Sequence, residues 1–232
     1  MDHTHLFSLS DKTGYEVCTE CGTYHSTMLA NPKDLYENDY WDEKHGHSYF
    51  GDQIGNLTLD FKDGQSKANK ILSYIQKIGT LLEIGCAPGV VLNRARRKGH
   101  QVWGIEPDKK YIPDIILISG CEEERIINGY FPDVKLPNIK FDHIIAMDVV
   151  EHIEDYRRFV QAIYDNLAPN GKFIMMSPII FKGKYRLRDM SIPLEHAWIF
   201  QFEYLRDYFI DMFRGVAFDQ WTEGHEIFIL NK

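Results

Sequence analysis

Thr80-Leu81-Leu82-Glu83-Ile84-Gly85-Cys86-Ala87-Pro88-Gly89 is a short apolar run that stops at a glycine-containing bend, the pattern of a buried strand feeding a loop. On its amino side, Ala68, Ile71, Leu72, Ile75 and Ile78 recur at helical spacing, which predicts a helix over 66–78 ended by Gly79. On its carboxyl side a helix is expected over 89–98, with Val91, Leu92 and Ala95 facing inward. Strands follow at Gln101–Ile105, Ile126-Ile127 and Phe141–Met147, with a helix in 107–118 between the first two. A helix over 155–167 buries Phe159, Ile163 and Leu167. Ala168-Pro169-Asn170-Gly171 then reads as a turn into a strand at Lys172–Met176. The chain closes with a helix from Gln201 to Met212 and an antiparallel pair, Val216–Phe218 and Ile227–Leu230, joined through Gly224. Strands separated by helices imply parallel, right-handed βαβ units covered on both faces, a doubly wound α/β fold.

The 232 residues favour one such domain over 66–232, with an amino-terminal appendage over 1–65 that is rich in His, Tyr, Asp and Gly. A hydrophobic fraction of 44% is enough for a real core. The net charge of −8 argues against a general nucleic-acid binder, because phosphate attraction needs basic surface. The local basic run Arg94-Ala95-Arg96-Arg97-Lys98 reads as a solvated helix face. Met1 to Phe7 lacks a basic leader followed by an apolar stretch, and no apolar run is long enough to span a bilayer. Cys18, Cys21, Cys86 and Cys121 are too scattered for a disulfide framework, so a cytoplasmic location with reduced thiols is expected.

In an open α/β sheet, ligands bind beyond the carboxyl ends of the strands. Gly85 and Gly89 let the backbone pass close to a ligand there, and Ala87 is nearly as small. Glu106 ends the next strand, roughly 20 residues on, where an acid accepts hydrogen bonds from ribose hydroxyls. A nicotinamide cofactor would need G-x-G-x-x-G, and its second and third glycines fall on Ala87 and Val90. Glu83, two residues before Gly85, suits a cofactor without phosphates. Its carboxylate can hold donors of the loop, or meet a bound ammonium through water.

Leu82-Glu83-Ile84-Gly85-Cys86-Ala87-Pro88-Gly89 resembles the first motif of class I S-adenosylmethionine-dependent methyltransferases. Gly104-Ile105-Glu106-Pro107 resembles the second, with Glu106 as the ribose acid. Phe141 to Ile153 resembles the fourth-strand segment, and Leu167 to Phe173 the turn into the fifth strand. The four come in order over about 80–180; Ala87 and Asn170 stand where many members have glycine. The resemblance implies a Rossmann-like sheet of seven mostly parallel strands with the antiparallel pair at its carboxyl end, and S-adenosylmethionine on Glu83, Gly85, Ala87, Gly89 and Glu106. It also implies Met147 and Asp148 as cofactor-facing, Tyr130 at the adenine, and Tyr40, within Leu35–Trp41, covering the methionine end. Glu195-His196-Ala197-Trp198-Ile199-Phe200 is similar to a His…Phe segment in the subgroup that methylates sugars, quinone precursors and other metabolites. The expected acceptor is therefore a small molecule, a sugar, sugar nucleotide or related metabolite methylated on oxygen.

Methyl transfer is an in-line displacement in which alignment supplies several kcal/mol, up to about 7–11 in ideal cases. A hydroxyl acceptor also loses a proton, and a base there contributes about 10²–10⁴-fold. His152, just past the fourth strand, and His196 are the candidate bases. A plainer reading has His152 capping the following helix. Asp148, Glu151 and His152 also resemble the pattern of metal-assisted quinone-precursor methyltransferases, where an oxygen-rich set suits Mg²⁺ or Mn²⁺.

Cys18-Thr19-Glu20-Cys21-Gly22 is a C-x-x-C-G knuckle of the kind that offers two thiolates to one zinc, and structural zinc takes four ligands. His3 and His5 complete the expected set, with His25 in reserve. Some sugar methyltransferases resemble this arrangement, although they supply a second Cys pair in place of His-x-His. The alternative is a pair of ordinary reduced cysteines in a hairpin, and His45-Gly46-His47 reads as a loop. Two other functions stand beside methyl transfer: an NAD-type oxidoreductase, and a non-catalytic cofactor-binding partner or regulator.

Overall fold

The computed structural model describes residues 5–8, 14–31, 61–181, 193–222 and 224–232. His3, Tyr40 with its segment Leu35–Trp41, and His45–His47 lie outside them. In chain order the strands are β1 (Phe7–Ser8), β2 (Tyr15–Cys18), β3 (Tyr24–Ser26), β4 (Thr80–Ile84), β5 (Gln101–Glu106), β6 (Ile126–Asn128), β7 (Phe141–Met147), β8 (Leu167–Ile180), β9 (Trp198–Gln201), β10 (Gly215–Thr222) and β11 (His225–Asn231). The helices are α1 (Phe61–Ser73), α2 (Val90–Arg97), α3 (Ile112–Ser119), α4 (Tyr156–Asn166) and α5 (Phe202–Met212). The chain forms two compact units, Asn31–Ile145 and Met1–Ala30 with Ala146–Lys232.

In the unit 31–145, β4 and β5 pair in parallel from Thr80↔Gln101 to Ile84↔Ile105, and β5 and β6 from Gly104↔Ile126 to Glu106↔Asn128. The registers bring the carboxyl ends of all three strands level, so the loop after β4 emerges beside Glu106. Leu81, Leu82, Val102, Ile105, Ile144 and Ile145 are fully or nearly fully buried, as strands covered on both faces require. α2 buries Val90, Val91, Leu92 and Ala95 and carries Arg94, Arg96 and Arg97 in its last turn, where cations favour the helix dipole. Arg94 donates to Gln65 Oε1 (2.7 Å) and Arg96 Nε to the Ser119 carbonyl (3.0 Å), so the basic run packs α2 against its neighbours while exposing Arg96, Arg97 and Lys98.

The other unit centres on β8. β11 lies antiparallel to it from His225↔Pro178 to Asn231↔Lys172, and β10 pairs antiparallel with β11. β9 runs parallel to β8, and β3, β2 and β1 add antiparallel strands beyond β9. Phe173, Met175, Phe209 and Phe228 are fully buried here, with the Phe209 and Phe228 rings edge to face at 5.3 Å. Among the described residues, no helix is long and apolar enough to cross a membrane.

The seven strands expected between 80 and 231 are present as β4 to β8, β10 and β11; β9 and the three amino-terminal strands add to them. Three local readings change. The first helix spans Phe61–Ser73 rather than 66–78. Its end tightens through Tyr74 N–H to Ile71 O (3.2 Å) and Ile75 N–H to Leu72 O (3.3 Å), which leaves Ile78 outside and 60% exposed. Gly79 therefore serves no helix end. It allows Asp142 to close on Thr80, accepting from the Thr80 N–H at 2.9 Å while the Asp142 N–H donates to Thr80 Oγ1 at 2.9 Å. The turn expected at 168–171 is already part of β8, because the Lys232 N–H pairs with Gly171 O and its ammonium with Leu167 O. Only Asn170, at φ 61°, keeps turn geometry.

Two glycines in this region have opposite consequences for stability. A Cβ on Gly79 would lie 2.3 Å from Asp142 Oδ2 and 2.9 Å from its Cβ, whereas one on Gly64, inside α1, would meet only Val90 Cγ2 at 4.0 Å. Gly79→Ala is expected to destabilise by about 1–3 kcal/mol. Gly64→Ala is expected to stabilise by about 0.5–1 kcal/mol, the cost of glycine in a helix. Urea midpoints moving in opposite directions check the pair.

Candidate functional site

The bend after β4 is built by backbone hydrogen bonds. Gly85 and Cys86 N–H both donate to Ile105 O (2.9 and 3.1 Å), and Gly89 N–H returns to Cys86 O at 2.6 Å. That path puts Gly85 at φ 71° and Gly89 at φ 96°, the left-handed region that side chains disfavour. Gly89 also passes so close to α3 that a Cβ would sit 3.0 Å from Ile115 O. Ala87 and Pro88 are half-exposed on the outer side of the bend.

Two buried carboxyl groups stand behind this loop. Glu83 is 3% exposed and is bonded by the backbone N–H of Leu92, the third residue of α2. A helix start has free N–H groups, and Gly89 has no side chain to cap them, so Glu83 does so from the preceding strand. Burial pushes the Glu83 carboxyl well above the usual carboxylate range; the Leu92 bond opposes the rise and Glu106 adds to it. Glu106 accepts from the Ala87 N–H (3.3 Å) and the Asp108 N–H (3.1 Å), so it ties the loop to the end of β5. Burial raises its carboxyl from the ordinary 4.5 to about 7, against the pull of those two bonds. Cys86 is buried between them; burial and the two acids push its thiol well up, so it stays a neutral, unreactive SH.

This electrostatic arrangement selects a type of ligand. A pyrophosphate would need the α2 N–H groups and would face two acids, whereas one of those N–H groups already belongs to Glu83. A cationic ligand relieves both carboxyls, and ribose hydroxyls have an acceptor in Glu106. Tyr130 lies half-exposed in the turn after β6, its carbonyl accepting from the Asp133 N–H at 2.8 Å.

In the unit containing 146–232, Met147 is the half-exposed last residue of β7, and Asp148 follows at φ 52°, donating its N–H to Met176 O at 2.8 Å. A non-glycine residue held there stores backbone strain of the kind found at functional sites. A 3₁₀ turn, Val150–His152, then presents Glu151 and His152. Glu151 is 1% exposed and accepts from Ser177 Oγ at 2.9 Å. His152 Nδ1 donates to Glu195 O at 3.0 Å; a carbonyl only accepts, so the proton sits on Nδ1 and the lone pair of the neutral ring on Nε2. His152 does not cap α4, whose cap is Asp155 through the Arg158 N–H. His196 stands edge to face with His152, ring centroids 4.8 Å apart. Ligand atoms of Glu151, His152 and His196 all lie within 4.8 Å of one another, and Asp148 is not part of that group. One carboxylate with two imidazoles is a donor set for a first-row transition ion, and fits Mg²⁺ poorly.

At the amino terminus His5, Cys18 and Cys21 come together within 4.8 Å, while His25 turns away to Glu16 Oε1 (3.2 Å). Ser177, the Glu195 carbonyl and the Leu92 N–H were not legible as site groups. Serine in a strand, a backbone oxygen and a helix N–H carry no sequence signal of their role.

The parallel strand core, the antiparallel additions and the acid-backed bend after the first parallel strand define the fold of class I S-adenosylmethionine-dependent methyltransferases. The chain belongs to that family: the family model described as "Methyltransferase domain" matches residues 60–224. A ubiquinone biosynthesis O-methyltransferase of Methylobacterium sp. (strain 4-46) is 33% identical over 98 residues, 40% of this chain and 39% of that protein. The chain thus matches about two-fifths of the length of such curated relatives. Among solved structures, the magnesium protoporphyrin IX methyltransferase of Synechocystis PCC 6803 with bound S-adenosylhomocysteine superposes with a TM-score of 0.60 at 15% identity, over 86% of this chain and 97% of that one. The amino pentose methyltransferase of calicheamicin biosynthesis from Micromonospora echinaspora, with the cofactor bound, gives 0.56 at 15%, over 78% and 95%.

The raised Glu106 carboxyl has a measurable consequence in the ligand-free chain. Folded, Glu106 keeps its proton up to about pH 7; unfolded, it loses it near 4.5. Between those values the folded state binds more protons, so stability falls as pH rises, by roughly 3 kcal/mol from this group. Urea midpoints of the ligand-free chain should drop from pH 5 to pH 8, and the drop should shrink in Glu106→Gln. An equal drop in both proteins removes Glu106 from the account.

Proposed function

We propose that the protein transfers the methyl group of S-adenosylmethionine to a hydroxyl oxygen of a small-molecule acceptor, with His152 or His196 taking the hydroxyl proton. The observation that carries this reading is the hydrogen bond that fixes the proton of His152 on Nδ1, because it makes Nε2 the basic nitrogen of the neutral ring. The acceptor oxygen attacks the sulfonium methyl, an O–CH₃ bond forms as the C–S bond breaks, and the sulfur leaves as neutral S-adenosylhomocysteine. The released proton passes from the hydroxyl to the imidazole. Glu151, held by Ser177, stabilises the imidazolium beside it.

Glu83, Gly85, Ala87 and Gly89 hold the cofactor's amino-acid end, Glu106 its ribose, and Tyr130 its adenine; Tyr40, Met147 and Asp148 complete its surroundings. The O-methyltransferase relatives and the hydroxyl-activating histidines support oxygen as the target. The acceptor is a phenolic quinone precursor or a sugar hydroxyl. The relative from Methylobacterium favours the first and the neighbour acting on an amino pentose the second.

Glu106→Gln should weaken S-adenosylhomocysteine binding about 10- to 100-fold, the loss of hydrogen bonds to a charged group. Hydroxyls favour the ionised carboxylate, so wild-type affinity should climb between pH 6 and 8 and level off above, while the variant stays flat; calorimetry reads both. NAD should produce no heat.

His152→Ala and His196→Ala should leave that binding unchanged, and the one removing the base should cut turnover by about 10²–10⁴-fold. Turnover is read by mass spectrometry across sugar nucleotides and phenols. Full activity in both variants, or no methyl uptake by any hydroxyl compound, would reject the reading. Activity abolished by a chelator and restored by Mn²⁺ or Zn²⁺ would assign the same three side chains to a metal instead.

A further inference from the structure

We infer that His5, Cys18 and Cys21 form a zinc site that fastens the amino-terminal strands to one another. The inference is independent of the methyl transfer proposed above. The knuckle between β2 and β3 is shaped by Gly22 at φ 77°, with Gly22 N–H bonded to Cys18 O (2.9 Å) and Cys18 N–H to Thr23 O (2.8 Å). Neither cysteine is in a disulfide, and Cys18 is buried. His5 enters from the residues just before β1, and the three ligand atoms lie within 4.8 Å of one another.

The spacing fits the ion. Zn–S near 2.3 Å and Zn–N near 2.0–2.1 Å make a tetrahedral N···S edge of about 3.6 Å. His5 Nδ1 lies 3.6 Å from Cys21 Sγ, at that edge length. The two sulfurs come from one C-x-x-C-G turn, so small side-chain rotations complete the triangle. Three protein ligands leave a fourth position for water.

The far side of the imidazole has the partner a metal ligand needs. His5 Nε2 faces Tyr156 OH at 3.4 Å, so Nε2 can carry the proton and donate it, leaving the Nδ1 lone pair toward the thiolates. Tyr156 OH shares a hydrogen bond with Tyr204 OH in which either hydroxyl can donate, and Tyr204 OH also accepts from Arg157 Nη2 at 3.1 Å. The His5 ring is enclosed by Phe7, Trp198 and Tyr204, with centroids at 5.6, 5.3 and 5.0 Å. This apolar box fixes the ring plane and lowers the local dielectric, which strengthens binding of a cation by two thiolates.

The ion is structural. β1 is a two-residue strand and the described hairpin buries few apolar groups of its own, Tyr15 and Cys18 among them, so it needs a crosslink to hold its place. The test is metal content of the whole chain, purified, stripped with a chelator and reconstituted with Zn²⁺. Mass spectrometry of the metal should give one zinc per chain, and Cys18→Ser or Cys21→Ser should lower it at least about tenfold. Cys121→Ser, Glu151→Gln and His152→Ala should keep it. Should a cysteine variant fail to fold, Co²⁺ in the stripped wild type should show thiolate-to-cobalt charge transfer, and zinc should protect two thiols from a disulfide reagent. Wild type that takes up no zinc, or zinc kept in both cysteine variants and lost with Glu151→Gln, would overturn the site.

Discussion

The bend that defines this fold is closed by backbone hydrogen bonds to Ile105 and Cys86, and a buried carboxyl group from the strand before it braces the start of the helix after it. Glu83 reaches from β4 to the Leu92 N–H at the start of α2. Without that bond the helix would begin on a glycine that offers no capping oxygen, beside backbone already forced to positive φ at Gly85 and Gly89. Glu106 adds the second tie, from the end of β5 to Ala87. Both acids are buried at a cost, and their raised affinity for protons expresses that cost. A ligand that brings positive charge, or hydroxyls that favour an ionised acceptor, recovers part of it. The loop is thus biased toward one electrostatic class of ligand.

The parts of the structure legible in the sequence are those written in periodicity and in small residues at bends. The apolar run 80–84 became β4 without a change of boundary, and 141–147 became β7. The pair Val91 and Leu92 with Ala95 gave the inner face of α2 because helical spacing alone selects it. Glu106 was legible as the acid that ends β5 beside the bend, because the apolar run before it marks where the strand stops. The first helix failed for a physical reason: Ile75 and Ile78 continue the apolar spacing past Ser73, yet the chain must turn there to enter β4, and tight end bonds override the pattern. β9 was illegible as a strand because Trp198–Gln201 is held by pairing to β8 and β3, partners distant in sequence. Site groups split in the same way. His152 and His196 are chemically conspicuous, but their orientation depends on the Glu195 carbonyl and the neighbouring ring, which no local signal records.

The amino-terminal strands show how residues before the family's region of likeness shape residues within it. The likeness begins at residue 60, yet the stretch that carries His196 is hydrogen-bonded to residues 14–30. Ser26 Oγ donates to Pro193 O, its N–H donates to Ala197 O, and the Ala30 N–H reaches Leu194 O. Tyr15 OH donates to the His196 carbonyl itself at 3.3 Å. On the other side of the same stretch, the Trp198 indole N–H is bonded to Glu154 O, and His152 to Glu195 O. The His196 backbone is therefore fixed from two directions, by β2 and β3 on one side and by the segment leading into α4 on the other. A histidine meant to take a proton, or to share one ligand position with Glu151 and His152, needs that fixation, since a misplacement of about 1 Å forfeits much of the gain from alignment. The hairpin is then part of what fixes the His196 backbone. The requirement that it stay seated explains why so small an element carries a buried tyrosine, an aromatic box and three clustered side chains with metal-ligand chemistry.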